Sequence, residues 1–188
     1  MLGEDSYLCG AGALFSFGPC RIHNERTVAT LAIREILPSD NGQLAALIVE
    51  VMTEIGAVGE GYSIKDAEVQ AMSFHYGGGQ AMYFVLVDSD TVIGGGGFAP
   101  LIDAADDVCE LRKMYFSPLA RGTGKAQEMI DLIFDRARAA GYTKMYLETI
   151  EAAAAARKLY ERNGFVQIEC CQGNTGHSSC DTFYEREL

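Results

Sequence analysis

Residues Cys109–Phe134 have the sequence CELRKMYFSPLARGTGKAQEMIDLIF, in which a β-rich run, a glycine-containing loop and an apolar helical pattern follow one another. Cys109–Phe116 is predicted to be a strand. The helix is predicted to continue to Ala140, and Gly141 ends it. One apolar stripe along it is formed by Ala126, Met129, Ile130, Ile133, Phe134 and Ala137. A strand that leads through a tight loop into an amphipathic helix predicts an α/β fold.

The loop between them, Arg121-Gly122-Thr123-Gly124-Lys125-Ala126, is suited to binding an anion. Its glycines let successive backbone amides point at one spot, and the helix N-terminus adds unsatisfied donors. A P-loop would need Gly at Leu119 and Ser or Thr at Ala126, and a dinucleotide fingerprint would need Gly at Gln127. The loop is therefore neither of these two motifs, and the simpler alternative is a tight turn with a solvated Arg121.

The rest of the chain predicts a mixed sheet with helices on both faces. The expected order is β α α β β β α β α β β, in one domain over residues 28–188 that follows an extension, residues 1–27. The predicted strands besides Cys109–Phe116 are Val28–Ile36, Ala81–Val87, Thr91–Phe98, Tyr142–Thr149, Val166–Cys171 and Thr182–Arg186. The other predicted helices cover Leu44–Ile55, a shorter segment from Asp66, and Ala152–Asn163. The run Gly94–Gly97 inside a strand indicates a bulge or a close backbone approach.

Composition limits the partners. The formal net charge of −11 disfavours nucleic acid and anionic membranes as partners. The first apolar stretch follows Glu4 and Asp5 instead of basic residues, so no signal peptide is predicted and a cytoplasmic location is expected. The six cysteines show no C-x-x-C spacing, and no metal is predicted. The alternative is a thiol or metal site built from Cys170, Cys171, His177 and Cys180.

The strand, loop and helix of Cys109–Phe134 resemble the signature of GNAT acetyltransferases, [QR]-x-x-G-x-[GA]. Arg121, Gly124 and Ala126 fill its fixed positions, and ARKLYERNGF (Ala156–Phe165) resembles the second hallmark of the same superfamily. The resemblance runs from Thr30 to the C-terminus, and the segment GNTGHSSCDTFY (Gly173–Tyr184) is similar to one uncharacterised branch. It implies a mostly antiparallel sheet of about seven strands with a V-shaped splay between the fourth and fifth.

The resemblance also implies an acetyl-CoA site in that splay. The backbone of Met114, Tyr115 and Phe116 would pair with the pantetheine arm, and an amide near Met114 or Tyr115 would polarise the thioester carbonyl. The pyrophosphate would be held by Gly122, Thr123, Gly124, Lys125 and Ala126, with Arg121 at the rim. Many members carry a cofactor-contacting Asn after the next strand, whereas this chain has Thr149-Ile150-Glu151, so Thr149 takes that place.

Two residues are candidates for proton transfer, which direct acetylation of an amine requires. Tyr160 is the candidate acid because its phenol can protonate a leaving thiolate, and the alternative is a core aromatic. Glu110 is the candidate base at the start of the cofactor strand, and the alternative is a surface carboxylate paired with Arg112, two residues along on the same face. Glu148 and His177 are rivals for the base.

The predicted activity is transfer of an acetyl group to a primary amine of a small molecule, an amino acid or a peptide. The alternative from another class is a non-catalytic acyl-CoA-binding module. Gly94–Gly97, Gln172–Cys180 and the helices of residues 44–76 are predicted to form the acceptor cleft. A homodimer stays open at this point.

Overall fold

The computed structural model describes residues 31–188. The predicted extension, residues 1–27, and the first residues of the predicted strand Val28–Ile36 lie outside that range. The strands are β1 Leu31–Glu35, β2 Gly77–Gly78, β3 Ala81–Asp88, β4 Thr91–Pro100, β5 Val108–Phe116, β6 Lys144–Thr149, β7 Val166–Ile168 and β8 Thr182–Glu187. The α-helices are α1 Asn41–Glu54, α2 Met72–His75, α3 Lys125–Ala139 and α4 Ala154–Arg162. The predicted order is confirmed, with β2 as an additional two-residue strand.

The strands form one mixed sheet in the order β1-β3-β4-β5-β6-β8-β7, and β2 pairs with β3 outside this path. β5 and β6 pair in parallel, whereas every other pairing in residues 31–188 is antiparallel. The helix α3 makes the crossover between the two parallel strands, as such a connection requires. The mixed, mostly antiparallel sheet is therefore the predicted one.

Side chains of β3 divide the core into two layers. Tyr83 and Val85 pack toward α1, whereas Phe84 and Leu86 pack toward α3. All four side chains are buried, because successive residues of a strand point to opposite faces and helices cover both faces here. None of the helices within residues 31–188 has the length and apolar character needed to cross a membrane.

The opening that positions the site lies between β5 and β6. The two strands pair only over Val108–Glu110 and Lys144–Tyr146. Beyond Glu110, β5 continues to Phe116 without pairing to β6. The other edge of β6 pairs with β8 along all of β6. These are the fourth and fifth of the predicted strands, so the predicted splay is confirmed.

The four consecutive glycines Gly94–Gly97 make room for side chains of the neighbouring strands. A Cβ atom on Gly94 would lie 2.4 Å from the Phe116 ring, and one on Gly95 would lie 2.7 Å from the Tyr83 hydroxyl oxygen. The register between β4 and β5 also shifts here, and Lys113 on β5 adopts a positive φ of 49°. The predicted close approach and bulge both occur, with the extra residue on β5.

Candidate active site

A cavity of about 580 Å³ occupies the opening between β5 and β6. Its wall includes α1, the free part of β5, the loop before α3, the end of β6 and the start of α4. The predicted site residues on this wall are Glu110, Met114, Tyr115, Phe116, Arg121, Gly122, Gly124, Ala126, Thr149 and Tyr160. The stretch of β5 from Glu110 to Phe116 spans about 20 Å at ~3.3 Å per residue. One elongated space therefore connects the predicted anion loop with the predicted proton-transfer groups.

The loop before α3 has the backbone geometry of an anion site. Gly122 and Gly124 adopt positive φ values of 75° and 81°, and the space where their Cβ atoms would lie is open. Gly124 is the N-cap of the 15-residue α3 and makes no side-chain cap, although the Lys125 amide donates to Thr123 Oγ1 at 3.3 Å. The helix N-terminus keeps further donor capacity for a ligand, and this donor set fits a pyrophosphate.

Three side chains of this loop are already paired within the protein. Thr123 Oγ1 donates to the Ala120 carbonyl oxygen at 2.7 Å, and Lys125 Nζ lies 2.6 Å from Glu128 Oε2. Neither Thr123 nor Lys125 lines the cavity in this structure. Arg121 Nη1 donates to Glu54 Oε1 at 2.8 Å across the mouth of the cavity. Both partners are about half exposed, so a phosphate could replace Glu54 at little cost.

Tyr160 presents a free hydroxyl to the cavity. Its residue is 7% exposed, and its ring packs against Phe165 and Tyr184 at centroid distances of 5.8 and 6.3 Å. No described residue forms a hydrogen bond with the hydroxyl. Burial raises the pKa of Tyr160 above its usual value, so the phenol stays protonated. The ring belongs to the core, and its polar end remains available for a ligand.

Glu110 is buried and ion-paired. Its residue is 2% exposed, and its Oε2 accepts a hydrogen bond from Arg112 Nε at 2.7 Å. Burial raises the pKa of Glu110, while the Arg112 guanidinium opposes that shift. The predicted pairing with Arg112 therefore occurs, but at a buried position on the cavity wall instead of on the surface.

His177 lies on the same wall, although its position in a loop gave little reason to expect this. Its side chain is 12% exposed, and its Nε2 atom lies 3.0 Å from Asp66 Oδ2. The only sequence signal for it is the similarity of Gly173–Tyr184 to one branch of acetyltransferases. Glu148, the other rival for the base, accepts hydrogen bonds on both oxygens, from the Tyr146 hydroxyl and Thr175 Oγ1, each at 2.7 Å.

A second, smaller cavity of about 310 Å³ adjoins the first. Both cavities are lined by Arg112, Lys113 and His177. The remaining wall of the smaller cavity comes from Asp66, Ala67, Glu68, His75 and Thr175. The segment Asp66–Glu68 and the loop around His177 thus border a polar, open depression beside Arg112 and Lys113 of β5.

Two parts of the predicted acceptor cleft are on the cavity walls, and one is not. The loop Gln172–Cys180 contributes His177 and Cys180, and α1 contributes Val51 and Met52. Gly94–Gly97 line neither cavity, because their Cβ positions face Phe116, Tyr83 and Met114. The inclusion of the glycine run in the cleft was therefore wrong, since its space is filled by packing.

Cysteines and histidines of the described residues are dispersed. Cys170 and Cys171 are exposed, whereas Cys180 is partly buried on the wall of the larger cavity and His177 turns to Asp66. Within residues 31–188, no group of three or more His, Cys, Asp or Glu side chains could hold a metal ion.

Comparison with known proteins gives consistent matches. The model of the acetyltransferase (GNAT) family matches residues 48–165. An uncharacterized N-acetyltransferase of Escherichia coli K12, YjgM, is 36% identical over 157 residues, which are 83% of this chain and 94% of that protein.

Solved structures share the fold. An acetyltransferase of the GNAT family from Staphylococcus aureus Mu50 superposes with a TM-score of 0.71 at 19% identity, covering 84% of this chain and 99% of that one. The yncA protein of Salmonella typhimurium, solved with its cofactor acetyl-CoA, gives a TM-score of 0.64 at 16% identity, covering 84% and 94% of the two chains.

Proposed function

The chain belongs to the acetyltransferase (GNAT) family, and we propose that it transfers an acetyl group from acetyl-CoA directly to the primary amine of a small molecule, an amino acid or a peptide. The observation that carries this proposal is the single elongated cavity. This cavity joins the glycine loop at the start of α3 to Tyr160 and to Glu110 near the start of β5. A molecule with a phosphate at one end and a reactive thioester at the other matches these two ends.

The chain would hold the two ends of acetyl-CoA by different means. Gly122, Gly124 and the first amides of α3 would bind the pyrophosphate, and Arg121 would exchange Glu54 for a phosphate oxygen. The free stretch Met114–Phe116 offers backbone groups to the pantetheine arm in the manner of an added strand. Thr149 lines the opposite side of the opening and would contact the same arm from there. When bound, acetyl-CoA supplies an activated acyl group with a good leaving thiolate.

The remaining chemistry belongs to protein side chains. Tyr160 would donate its phenolic proton to the sulfur as the C–S bond breaks, since its hydroxyl is protonated and has no other described partner. A base must remove a proton from the acceptor ammonium before attack. Glu110 is the predicted base, and His177 lies on the same wall.

A free hydroxyl at the cavity wall favours this enzyme over a non-catalytic acyl-CoA-binding module, which needs no such group. The deciding experiment incubates the protein with acetyl-CoA and a panel of small amines, amino acids and peptides, and measures release of free thiol. We expect thiol release that depends on the amine for at least one class of acceptor. Tight binding of CoA without release on any amine would establish the binding module instead.

The proposed function also bears on where the protein works and on its partners. Acetyl-CoA and small amines are cytoplasmic metabolites, which supports a cytoplasmic location. A homodimer is compatible with the family, and nucleic acid and membrane surfaces stay disfavoured by the net charge of −11.

A further inference from the structure

The ion pairs between β5 and the segment Asp66–Glu68 shape the region where the two cavities meet. Lys113 Nζ lies 2.8 Å from Glu68 Oε1 and also pairs with Asp66 Oδ2. The Lys113 side chain is only 2% exposed, whereas those of Asp66 and Glu68 are 28% and 19% exposed. The cation is therefore enclosed, and the carboxylates remain accessible from the cavity.

His177 is held in one tautomer by this cluster. An ionised carboxylate can only accept, so the proton of the contact to Asp66 lies on Nε2 and the His177 Nδ1 atom is left with a lone pair. No described residue forms a hydrogen bond with Nδ1. Although burial alone would raise it, the pKa of Asp66 is held below its usual range by His177 and Lys113. Asp66 is therefore ionised and able to orient the imidazole and to stabilise its cation.

Glu110 is already committed to an ion pair with Arg112, whereas His177 Nδ1 has no partner among the described residues. The groups around the junction are the carboxylates of Asp66, Glu68, Glu110 and Glu148, the cations of Arg112 and Lys113, and the side chains of His75 and Cys180. A proton on Glu110 would leave the largely buried Arg112 guanidinium without its carboxylate partner.

We propose that the smaller cavity receives the acceptor, a small polar molecule with a primary amine, and that His177, oriented by Asp66, removes the proton from that amine. The inference rests on the proposed acetyltransferase function. The volume of about 310 Å³ accommodates a small metabolite. Its walls carry charged and hydrogen-bonding groups, so an apolar arylalkylamine is a poor match.

The proton balance then closes. One proton of the ammonium passes to His177 Nδ1, the nitrogen lone pair forms the C–N bond to the acetyl carbon, and the C–S bond breaks with its electrons on sulfur. Tyr160 gives its proton to sulfur, and the second proton lost by the nitrogen restores the phenol through solvent. His177 returns its proton to solvent, so each turnover of an ammonium releases one proton.

The test of the base uses two variants of His177, after an amine that the parent protein acetylates has been found. His177→Gln keeps a donor for Asp66 but accepts no proton, and it should lower kcat by about 10²- to 10³-fold at neutral pH. The loss should shrink at high pH, where the amine is deprotonated without help. Added imidazole should restore part of the activity to His177→Ala and none to Tyr160→Phe. Full activity of His177→Gln with an unchanged pH profile would overturn the assignment.

The test of the pocket fills it with a bulky side chain. Ala67 lines only the smaller cavity, so Ala67→Trp should raise the KM for the amine at least about tenfold without changing CoA binding. The control is Ala139→Trp, an exposed position of α3 on neither cavity, which should leave both constants unchanged. An Ala67→Trp protein with the KM of the parent would refute the pocket. A parent protein that acetylates no amine of the panel would instead refute the proposed function itself.

Discussion

At the scale of single residues, some polar side chains on the cavity wall already form hydrogen bonds within the protein, and others do not. Glu110 and Glu148 are engaged with Arg112, Tyr146 and Thr175. The Tyr160 hydroxyl has no partner among the residues that the structure describes, although its ring is packed in the core. Because the hydroxyl is at the cavity wall, its hydrogen-bonding capacity is available to a ligand there.

Tyr160→Phe removes only this hydroxyl. We expect turnover to fall by about 10²- to 10³-fold, the worth of a positioned acid, while CoA affinity and the free energy of unfolding hardly change. Since burial raises the pKa of Tyr160, the parent enzyme should keep the acid form up to at least about pH 10. Steady-state kinetics with thiol detection, calorimetric titration of CoA and denaturant unfolding measure the three effects.

The matched control is Tyr142→Phe. The Tyr142 hydroxyl donates to the Gln80 carbonyl oxygen at 2.9 Å and lies on neither cavity. Its loss should leave turnover intact and lower the free energy of unfolding by about 1 kcal/mol. Normal turnover of Tyr160→Phe would make Tyr160 a core aromatic only.

At the scale of elements, the loop and helix N-terminus of Gly122–Lys125 act as one unit. Two glycines with positive φ, Gly122 and Gly124, turn the chain into the N-terminus of α3. The same left-handed conformation recurs at Gly141, which ends α3 with a φ of 96° and open space around its Cβ position. Gly124 and Gly141 therefore have a similar left-handed backbone, but only Gly124 lines the larger cavity.

Gly124→Asp should weaken CoA binding by at least about 100-fold, because it places a negative charge where the pyrophosphate would bind and charge-assisted hydrogen bonds are worth ~1.5–3 kcal/mol each. Gly141→Asp imposes a comparable left-handed strain of about 1–2 kcal/mol and should bind CoA normally. Calorimetric titration of CoA into both proteins makes the comparison. Parent-like binding by Gly124→Asp would mean that the loop is only a tight turn.

At the scale of the whole molecule, the cavity divides the sheet into two halves that share few backbone hydrogen bonds. β5 belongs to the antiparallel part with β4 and α1, whereas β6 belongs to the part with β8 and β7. In the parallel ladder between β5 and β6, only three residues of each strand are paired. A ligand that contacts both walls of the opening would therefore stabilise the folded molecule as a whole.

CoA at about 100 times its dissociation constant should raise the free energy of unfolding by ~2.7 kcal/mol. For a chain of this size, that corresponds to an increase in Tm of about 5–10 °C. Thermal unfolding followed by circular dichroism, with and without CoA, measures the shift. Pantetheine, which lacks the nucleotide phosphates, is the control and should give a much smaller shift, whereas equal shifts would place the binding energy outside the loop.

Local sequence patterns determined most of the fold and one end of the site. The apolar stripe from Met129 to Ala137 fixes α3, because a period of 3.6 residues buries one helix face whatever the partner is. The Arg121–Ala126 loop is equally local, since backbone amides form its donors and glycines set its geometry. The order of strands along the chain followed from these patterns, and the splay between the fourth and fifth strands followed from the family resemblance.

The other end of the site was decided only by the tertiary structure. Gly94–Gly97 were expected to face an acceptor, yet Tyr83 and Phe116 fill that space from neighbouring strands. His177 and Asp66 are 111 residues apart in the chain and meet at 3.0 Å because the last loop folds back against the segment before α2. No periodicity encodes such a contact. Packing of distant segments determines burial and ion pairing, and these in turn determine which carboxylate, imidazole or phenol is free to react.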